Sequence, residues 1–88
     1  MDIEALRSKI DELDVQILEI INKRAKLALE IGELKREQGL PIFSPEREED
    51  LLKEIRKKNG GPLKDDAIAR VYEKIIEENR NIQKDLVR

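Results

Sequence analysis

Polar side chains stand on the apolar faces of this sequence at a few positions, and these are the candidates for chemistry. Arg24 occupies a stripe position of the first predicted helix, and Lys35 follows about 20° around and about 16 Å along that helix. Glu48, Asn79 and Gln83 share faces with apolar residues of the later helices. Burying such groups without partners is costly. A small polyanion bound between them would satisfy them together, so the spacing predicts a polar pocket.

The position of Arg7 predicts that a second copy of the chain contributes to the same pocket. It flanks the same stripe near the start of the first helix, about 25 Å from Arg24 along the axis. One chain cannot bring both arginines to one small ligand, but an antiparallel copy can.

A non-enzymatic interpretation stays open at this point. A single Arg or Asn on a helical seam usually sets register or oligomeric state, and edge residues such as Lys35 and Arg7 are usually solvated. Glu48 alone can serve as an exposed salt-bridge partner. A helical dimerisation module of this kind predicts that removing Arg24 or Glu48 stabilises the fold and abolishes no activity.

The amino-acid composition argues against several classes of function. The 88 residues carry 18 cations and 20 anions, interleaved, for a net charge of −2, and aromatics make up 2%. This balance argues against nucleic acid as a partner. Cys and His are absent, which removes disulfides, thiol nucleophiles, His-based acid–base chemistry and the common zinc ligands. We expect no metal and no cofactor. The sequence has neither a long apolar run nor a signal-peptide pattern, so we expect no membrane partner and a cytoplasmic location.

The elements that must position these residues are three helices, at about 2–38, 45–58 and 66–86, in one all-α domain over residues 1–88. Asp2 and Gly39 are the expected caps of the first helix, Ser44 the N-cap before Pro45, and Asp65 or Asp66 the cap of the third. Gly32, inside the first helix, marks close packing.

Each predicted helix carries one apolar stripe. The stripes comprise Ile3, Leu6, Ile10, Leu13, Ile17, Ile20, Leu27, Ile31 and Leu34 in the first helix, Leu51, Leu52 and Ile55 in the second, and Ile68, Tyr72, Ile75, Ile82 and Leu86 in the third. The first helix, roughly 50 Å long, cannot cover its own stripe, so a homo-oligomer is expected.

The ordered set of motifs resembles the all-helical (AroQ-type) chorismate mutases over nearly the whole chain. The similar segments are Leu6-Arg7-Ser8-Lys9-Ile10-Asp11-Glu12-Leu13-Asp14, Asn22-Lys23-Arg24, Ile31-Gly32-Glu33-Leu34-Lys35, Pro45-Glu46-Arg47-Glu48, and Ile75-Ile76-Glu77-Glu78-Asn79 followed by Gln83. The resemblance implies an intertwined homodimer with two shared sites. It also implies the Claisen-type rearrangement of chorismate to prephenate, the branch step of the shikimate pathway toward phenylalanine and tyrosine.

The resemblance also implies roles for individual residues. Arg24 binds one substrate carboxylate, and Arg7 of the partner subunit binds the other. Lys35 and Gln83 donate to the ether oxygen of the breaking bond, and Glu48 holds the ring hydroxyl.

Three further residues carry weaker assignments. Arg47 lies where it would orient the hydroxyl-binding carboxylate, and Asn79 stands where many members have Ser. Ser44 stands where some members have an acidic residue, and helix capping alone would explain it.

A pericyclic rearrangement suits a sequence without Cys or His, because it needs no nucleophile, general base or metal. Holding a dianion in its compact shape and stabilising charge on the ether oxygen are sufficient. A related isochorismate pyruvate lyase on the same fold remains an alternative. The length leaves no room for an added dehydratase, dehydrogenase or regulatory domain, so we expect no end-product feedback within this polypeptide.

Overall fold

A computed structural model describes residues 2–85 and contains three helices there, with no strand in that range. They are α1 (Ile3–Gln38), α2 (Pro45–Lys58) and α3 (Asp65–Asp85). The all-α prediction is confirmed. The expected end of the third helix at residue 86, and with it Leu86 of its stripe, lies outside the described residues.

Both predicted caps of α1 are present. The Asp2 carboxylate accepts a hydrogen bond from the Ala5 backbone N–H at 2.8 Å. At the other end Gly39 adopts φ 68°, a left-handed conformation that glycine reaches without a Cβ clash. This turn lets the Leu40 N–H donate to the Lys35 carbonyl at 2.8 Å. The long helix therefore ends where its sequence places a stop.

The predicted caps of the other two helices are only partly right. Ser44 occupies the N-cap position of α2, but its side chain makes no capping hydrogen bond. Asp65 and Asp66 lie inside the first turn of α3 instead of capping it, so that prediction is wrong. Their charges still favour the positive end of the helix dipole, and Asp65 accepts a hydrogen bond from Asn59 Nδ2 at 2.9 Å.

Helices α2 and α3 form an antiparallel hairpin. Arg56 near the end of α2 pairs with Asp66 at the start of α3 at 3.2 Å, whereas Glu48 near the start of α2 pairs with Arg80 near the end of α3. The most buried residue of the interface region is Ala69, 1% exposed. The stripe residues predicted for α2 are half-buried in the single chain. The buried residues of α3 are Ala69, Ile76, Asn79 and Gln83; Asn79 lies on the predicted stripe, whereas Ala69 and Ile76 each follow a predicted stripe residue by one position.

Helix α1 contacts α3 through small residues. Ala28 and Gly32 are its buried positions, which agrees with the close packing predicted at Gly32. The part of the apolar stripe in the first half of α1 is exposed in the single chain: Leu6 is 48% exposed and Ile20 63%. The molecule is 55 Å long, about the length of a 36-residue helix, so the first half of α1 extends beyond the hairpin.

None of the helices within residues 2–85 has the length and apolar character needed to cross a membrane.

Candidate active site

A cavity of about 300 Å³ opens between the second half of α1, the start of α2 and the end of α3. Seven of the eight predicted site residues line it: Arg24, Lys35, Ser44, Arg47, Glu48, Asn79 and Gln83. The apolar part of its wall comes from Leu27, Ala28, Ile31, Ile42, Leu51 and Ile76. The tertiary structure thus brings together residues that lie up to 59 positions apart in the sequence.

Arg24 and Asn79 meet across the α1–α3 contact. Arg24 Nη1 donates a hydrogen bond to Asn79 Oδ1, and Asn79 is buried. An arginine has five N–H donors in a planar fork, so this bond orients the guanidinium and leaves other donors for a ligand. The two polar interruptions of the apolar stripes therefore satisfy each other.

Gln83 is held by the backbone of α1. Its Nε2 donates to the Ala28 carbonyl at 2.7 Å, and the side chain is buried. Because a carbonyl oxygen only accepts, this bond determines which end of the amide is the nitrogen. The second N–H of the same nitrogen remains available for a ligand in the cavity.

Lys35 is fixed by the connection between α1 and α2. Its Nζ donates to the Ile42 carbonyl at 3.0 Å, and the residue is half-buried. An ammonium group has three donors, so two remain for a ligand. Lys35 also lies in the last turn of α1, where a cation is favoured by the helix dipole.

Glu48 forms an ion pair that the sequence analysis did not predict. Arg80 Nη1 donates to both carboxylate oxygens of Glu48, at 2.6 and 2.7 Å, and the two side chains are 25% and 22% exposed for Glu48 and Arg80 respectively. The guanidinium carbon of Arg80 lies 4.8 Å from the centre of the Phe43 ring, within range of a cation–π contact. Arg80 follows Asn79 and precedes Gln83 by three positions, which was the available sequence signal.

Ser44 and Arg47 complete the lining at the start of α2. Ser44 is half-buried and lines the cavity, and its side chain makes no capping hydrogen bond to α2. Arg47 is exposed at the cavity edge.

Arg7 is the predicted site residue that this chain does not bring to the cavity. It pairs with Glu4 at 3.1 Å on the exposed start of α1. This placement agrees with the argument that one rigid helix cannot present Arg7 and Arg24 to the same small ligand.

The charges around the cavity favour an anion. Four cations line it, namely Arg24, Lys35, Arg47 and Arg80, against the single carboxylate of Glu48. This local excess of three positive charges occurs in a chain whose net charge is −2. Charged groups on partly apolar walls act more strongly than in water. Residues 2–85 contain no cluster of acidic side chains able to hold a metal ion. The fold and the cavity together define a three-helix domain with a cavity whose lining carries an excess of positive charge.

Comparison with known proteins identifies this domain. A family model described as chorismate mutase type II matches residues 6–84. The chorismate mutase of Methanocaldococcus jannaschii is 39% identical over 80 residues, which cover 90% of this chain and 81% of that protein. The bifunctional chorismate mutase/prephenate dehydratase of Aquifex aeolicus is 38% identical over 87 residues, and the chain spans only 24% of that longer protein.

Solved structures give the same result. The chorismate mutase of Thermus thermophilus (form II) superimposes with a TM-score of 0.91 at 34% identity, covering 93% of both chains. The chorismate mutase of Helicobacter pylori in complex with prephenate gives a TM-score of 0.86 at 30% identity, covering 96% of this chain and 91% of that one. The chain belongs to the chorismate mutase type II family, whose enzymes are isomerases.

Proposed function

We propose that this chain converts chorismate to prephenate, and that it does so in a cavity completed by a second copy. The observation that carries the proposal is the convergence of Arg24, Lys35, Glu48 and Gln83 on one cavity of about 300 Å³, a volume suited to a small dicarboxylate. The Helicobacter pylori relative binds prephenate.

Substrate binding follows from the cations. Arg24 holds one carboxylate with the guanidinium donors that Asn79 does not occupy. Arg7 of the partner subunit holds the other carboxylate. The two contacts select the compact conformation in which the ends that form the new carbon–carbon bond lie close together.

Rate enhancement comes from donors aimed at the ether oxygen. As the carbon–oxygen bond breaks, negative charge develops on that oxygen, and the Lys35 ammonium and the Gln83 amide stabilise it. Both donors are held before the substrate arrives, by the Ile42 and Ala28 carbonyls. An acceleration of about 10⁶ requires about 8 kcal/mol. Two such donors at about 3 kcal/mol each, with conformational restraint, account for most of it.

The remaining polar residues orient the ring. Glu48 accepts the hydrogen bond of the ring hydroxyl, and Arg47 at the cavity edge helps to hold that end of the substrate. The hydroxyl of Ser44 supports a contact with the same region, because it is not used as a helix cap.

The exposed stripe of α1 supports the dimer. Apolar residues along its first half remain about half exposed or more in the single chain, among them Ile3, Ile10, Leu13 and Ile17. A contiguous apolar surface of this length is typical of a covered interface. An antiparallel partner would bury it and place its own Arg7 at the open side of the cavity. The cytoplasmic location expected from the sequence stays a prediction.

The decisive experiment is an assay of purified protein with chorismate. We expect loss of chorismate absorbance with prephenate as the product, identified by NMR. Release of pyruvate from isochorismate, with no turnover of chorismate, would assign the lyase activity instead. Absence of turnover with either compound would favour the non-enzymatic module.

A further inference from the structure

We infer that Arg80 is a positioning residue for the Glu48 carboxylate, and that through Glu48 it determines recognition of the hydroxyl group of the substrate. This inference rests on the proposed function and adds a residue to it. The observation behind it is the ion pair between Arg80 at the end of α3 and Glu48 at the start of α2. Among the described residues of the cavity, no other ion pair is present.

The geometry leaves Glu48 able to bind a hydroxyl. An ionised carboxylate offers about four lone-pair positions. Arg80 Nη1 uses one on each oxygen, at 2.6 and 2.7 Å. The remaining positions accept from a ligand, while the ion pair prevents rotation of the carboxyl group. A hydroxyl in the cavity thus meets an acceptor of defined direction.

The negative charge of Glu48 is a second reason for an arginine at position 80. Glu48 is the single carboxylate in a cavity that we expect to hold a dianion. Without a partner, its charge would repel the substrate, in surroundings where screening is reduced because the side chain is only 25% exposed. Arg80 offsets that charge, so Glu48 can act as an acceptor without weakening dianion binding.

The segment between α1 and α2 couples this pair to the other end of the site. Phe43 lies under the Arg80 guanidinium at 4.8 Å, and the neighbouring Ile42 carbonyl accepts from Lys35. Ile42 therefore helps to position Lys35, which we expect at the ether oxygen. Its neighbour Phe43 helps to position the Arg80–Glu48 pair, which we expect at the hydroxyl. Arg80 is thereby supported on two sides, by Glu48 and by the ring.

The test compares two substrates: chorismate, and a chorismate analogue that lacks the ring hydroxyl. With Arg80→Met we expect kcat/KM for chorismate to fall about 10- to 100-fold, as for a displaced binding group. With the analogue we expect a smaller fall of about 2- to 5-fold, because the Glu48–hydroxyl contact is absent and only the repulsion between the unpaired carboxylate and the dianion remains. Arg80→Lys, which keeps the positive charge but not the planar guanidinium, should recover the loss with the analogue and only part of the loss with chorismate. Arg70→Met, an exposed arginine on the same helix, is the matched control and should change neither rate.

A double variant separates positioning from folding. In a Glu48→Gln background, Arg80→Met should cause little further loss with chorismate, since both changes remove the same contact. The double variant leaves no unpaired carboxylate in the cavity, so it keeps the test valid even where Arg80→Met alone fails to fold. Equal losses with both substrates, or full additivity in the double variant, would overturn the inference and leave the proposed function standing. A wild-type chain that turns over neither compound would refute both.

Discussion

At the scale of single residues, the buried polar side chains around the cavity have hydrogen-bond partners within the chain. Asn79 accepts from Arg24, and Gln83 donates to the α1 backbone. Such pairing lowers the cost of keeping polar groups inside the fold, and it holds the donors in place before a ligand binds. Substitutions at these positions therefore affect stability as well as turnover, and the two effects must be measured separately.

Arg24→Ala should reduce kcat/KM by about 100- to 1,000-fold, because a charged contact to one substrate carboxylate is lost. It should also lower the free energy of unfolding by about 1–3 kcal/mol, since the buried Asn79 oxygen loses its donor. Steady-state kinetics and urea denaturation measure the two effects. Lys23→Ala, which removes an exposed cation one position away, is the control and should leave turnover nearly unchanged. A stabilised Arg24→Ala chain with unchanged turnover would refute the role of Arg24 in substrate binding and leave it a structural residue of the helix seam.

Gln83→Glu should make activity depend on pH. The introduced carboxyl lies beside the Ala28 carbonyl, 2.7 Å from the present amide nitrogen. When protonated, its single O–H can donate to the ether oxygen, whereas the ionised form has no donor and repels the negative charge that develops there. Burial and the carbonyl raise the pKa of the introduced carboxyl, while Lys35 and Arg24 lower it. Whatever the balance, the neutral form that donates is present below that pKa and is lost as pH rises through it. Activity should therefore fall from about pH 5 to about pH 8, whereas the unmodified protein, whose amide does not titrate, should vary little.

Pre-steady-state or steady-state rates across this range check the prediction. A Gln83→Glu chain equally active at both ends of the range would place Gln83 away from the reacting atoms.

At the scale of elements, the end of α1 decides where the cavity forms. The left-handed turn at Gly39 redirects the chain so that Ile42 reaches Lys35 and Phe43 reaches Arg80. Both contacts depend on α1 ending at this point, because a further helical turn would carry the connection away from the cavity.

Gly39→Ala should lower the free energy of unfolding by about 1 kcal/mol. A Cβ at this position has open space around it, so the cost comes from the positive φ and not from a clash. Gly60→Ala is the matched control, because its Cβ also meets nothing and its φ is not positive. That change should be neutral or stabilise by about 0.5 kcal/mol through the unfolded chain. Urea denaturation at equal protein concentration tests the pair, and equal effects of the two substitutions would contradict the role of the turn.

At the scale of the whole molecule, the two halves of α1 present different groups. The second half contributes Arg24 and Lys35 to the cavity, and the exposed start of the helix carries Arg7. A shared-site dimer accounts for both features, because each α1 then serves two cavities.

Mixing two inactive chains tests shared sites. When Arg7→Ala and Lys35→Ala chains exchange subunits, half of the dimers are mixed and each has one intact site of two, so about one quarter of wild-type activity should return. Arg24→Ala mixed with Lys35→Ala is the control: both residues serve the same chain's cavity, so no mixed dimer regains a site. Subunit exchange without recovered activity in the first mixture would refute the shared site.

The family resemblance contributed Ser44 and Arg47 to the predicted site. The sequence pattern alone was sufficient to predict the three helices, the ends of α1 and five further residues around the cavity. These features depend on local spacing and on cap and turn residues, which are legible within one helix or one connection. Helical periodicity also showed which polar residues stand on apolar faces, and the motifs carried the family resemblance.

The contacts of those residues could be identified only from the tertiary structure. The Arg24–Asn79 and Gln83–Ala28 hydrogen bonds each join positions 55 residues apart, and the Glu48–Arg80 pair joins positions 32 apart. Such pairings depend on how helices cross, which periodicity does not encode. Arg80 was missed for this reason: on its own helix it resembles a solvated cation at the edge of a stripe, and it becomes part of the site because the hairpin places it opposite Glu48.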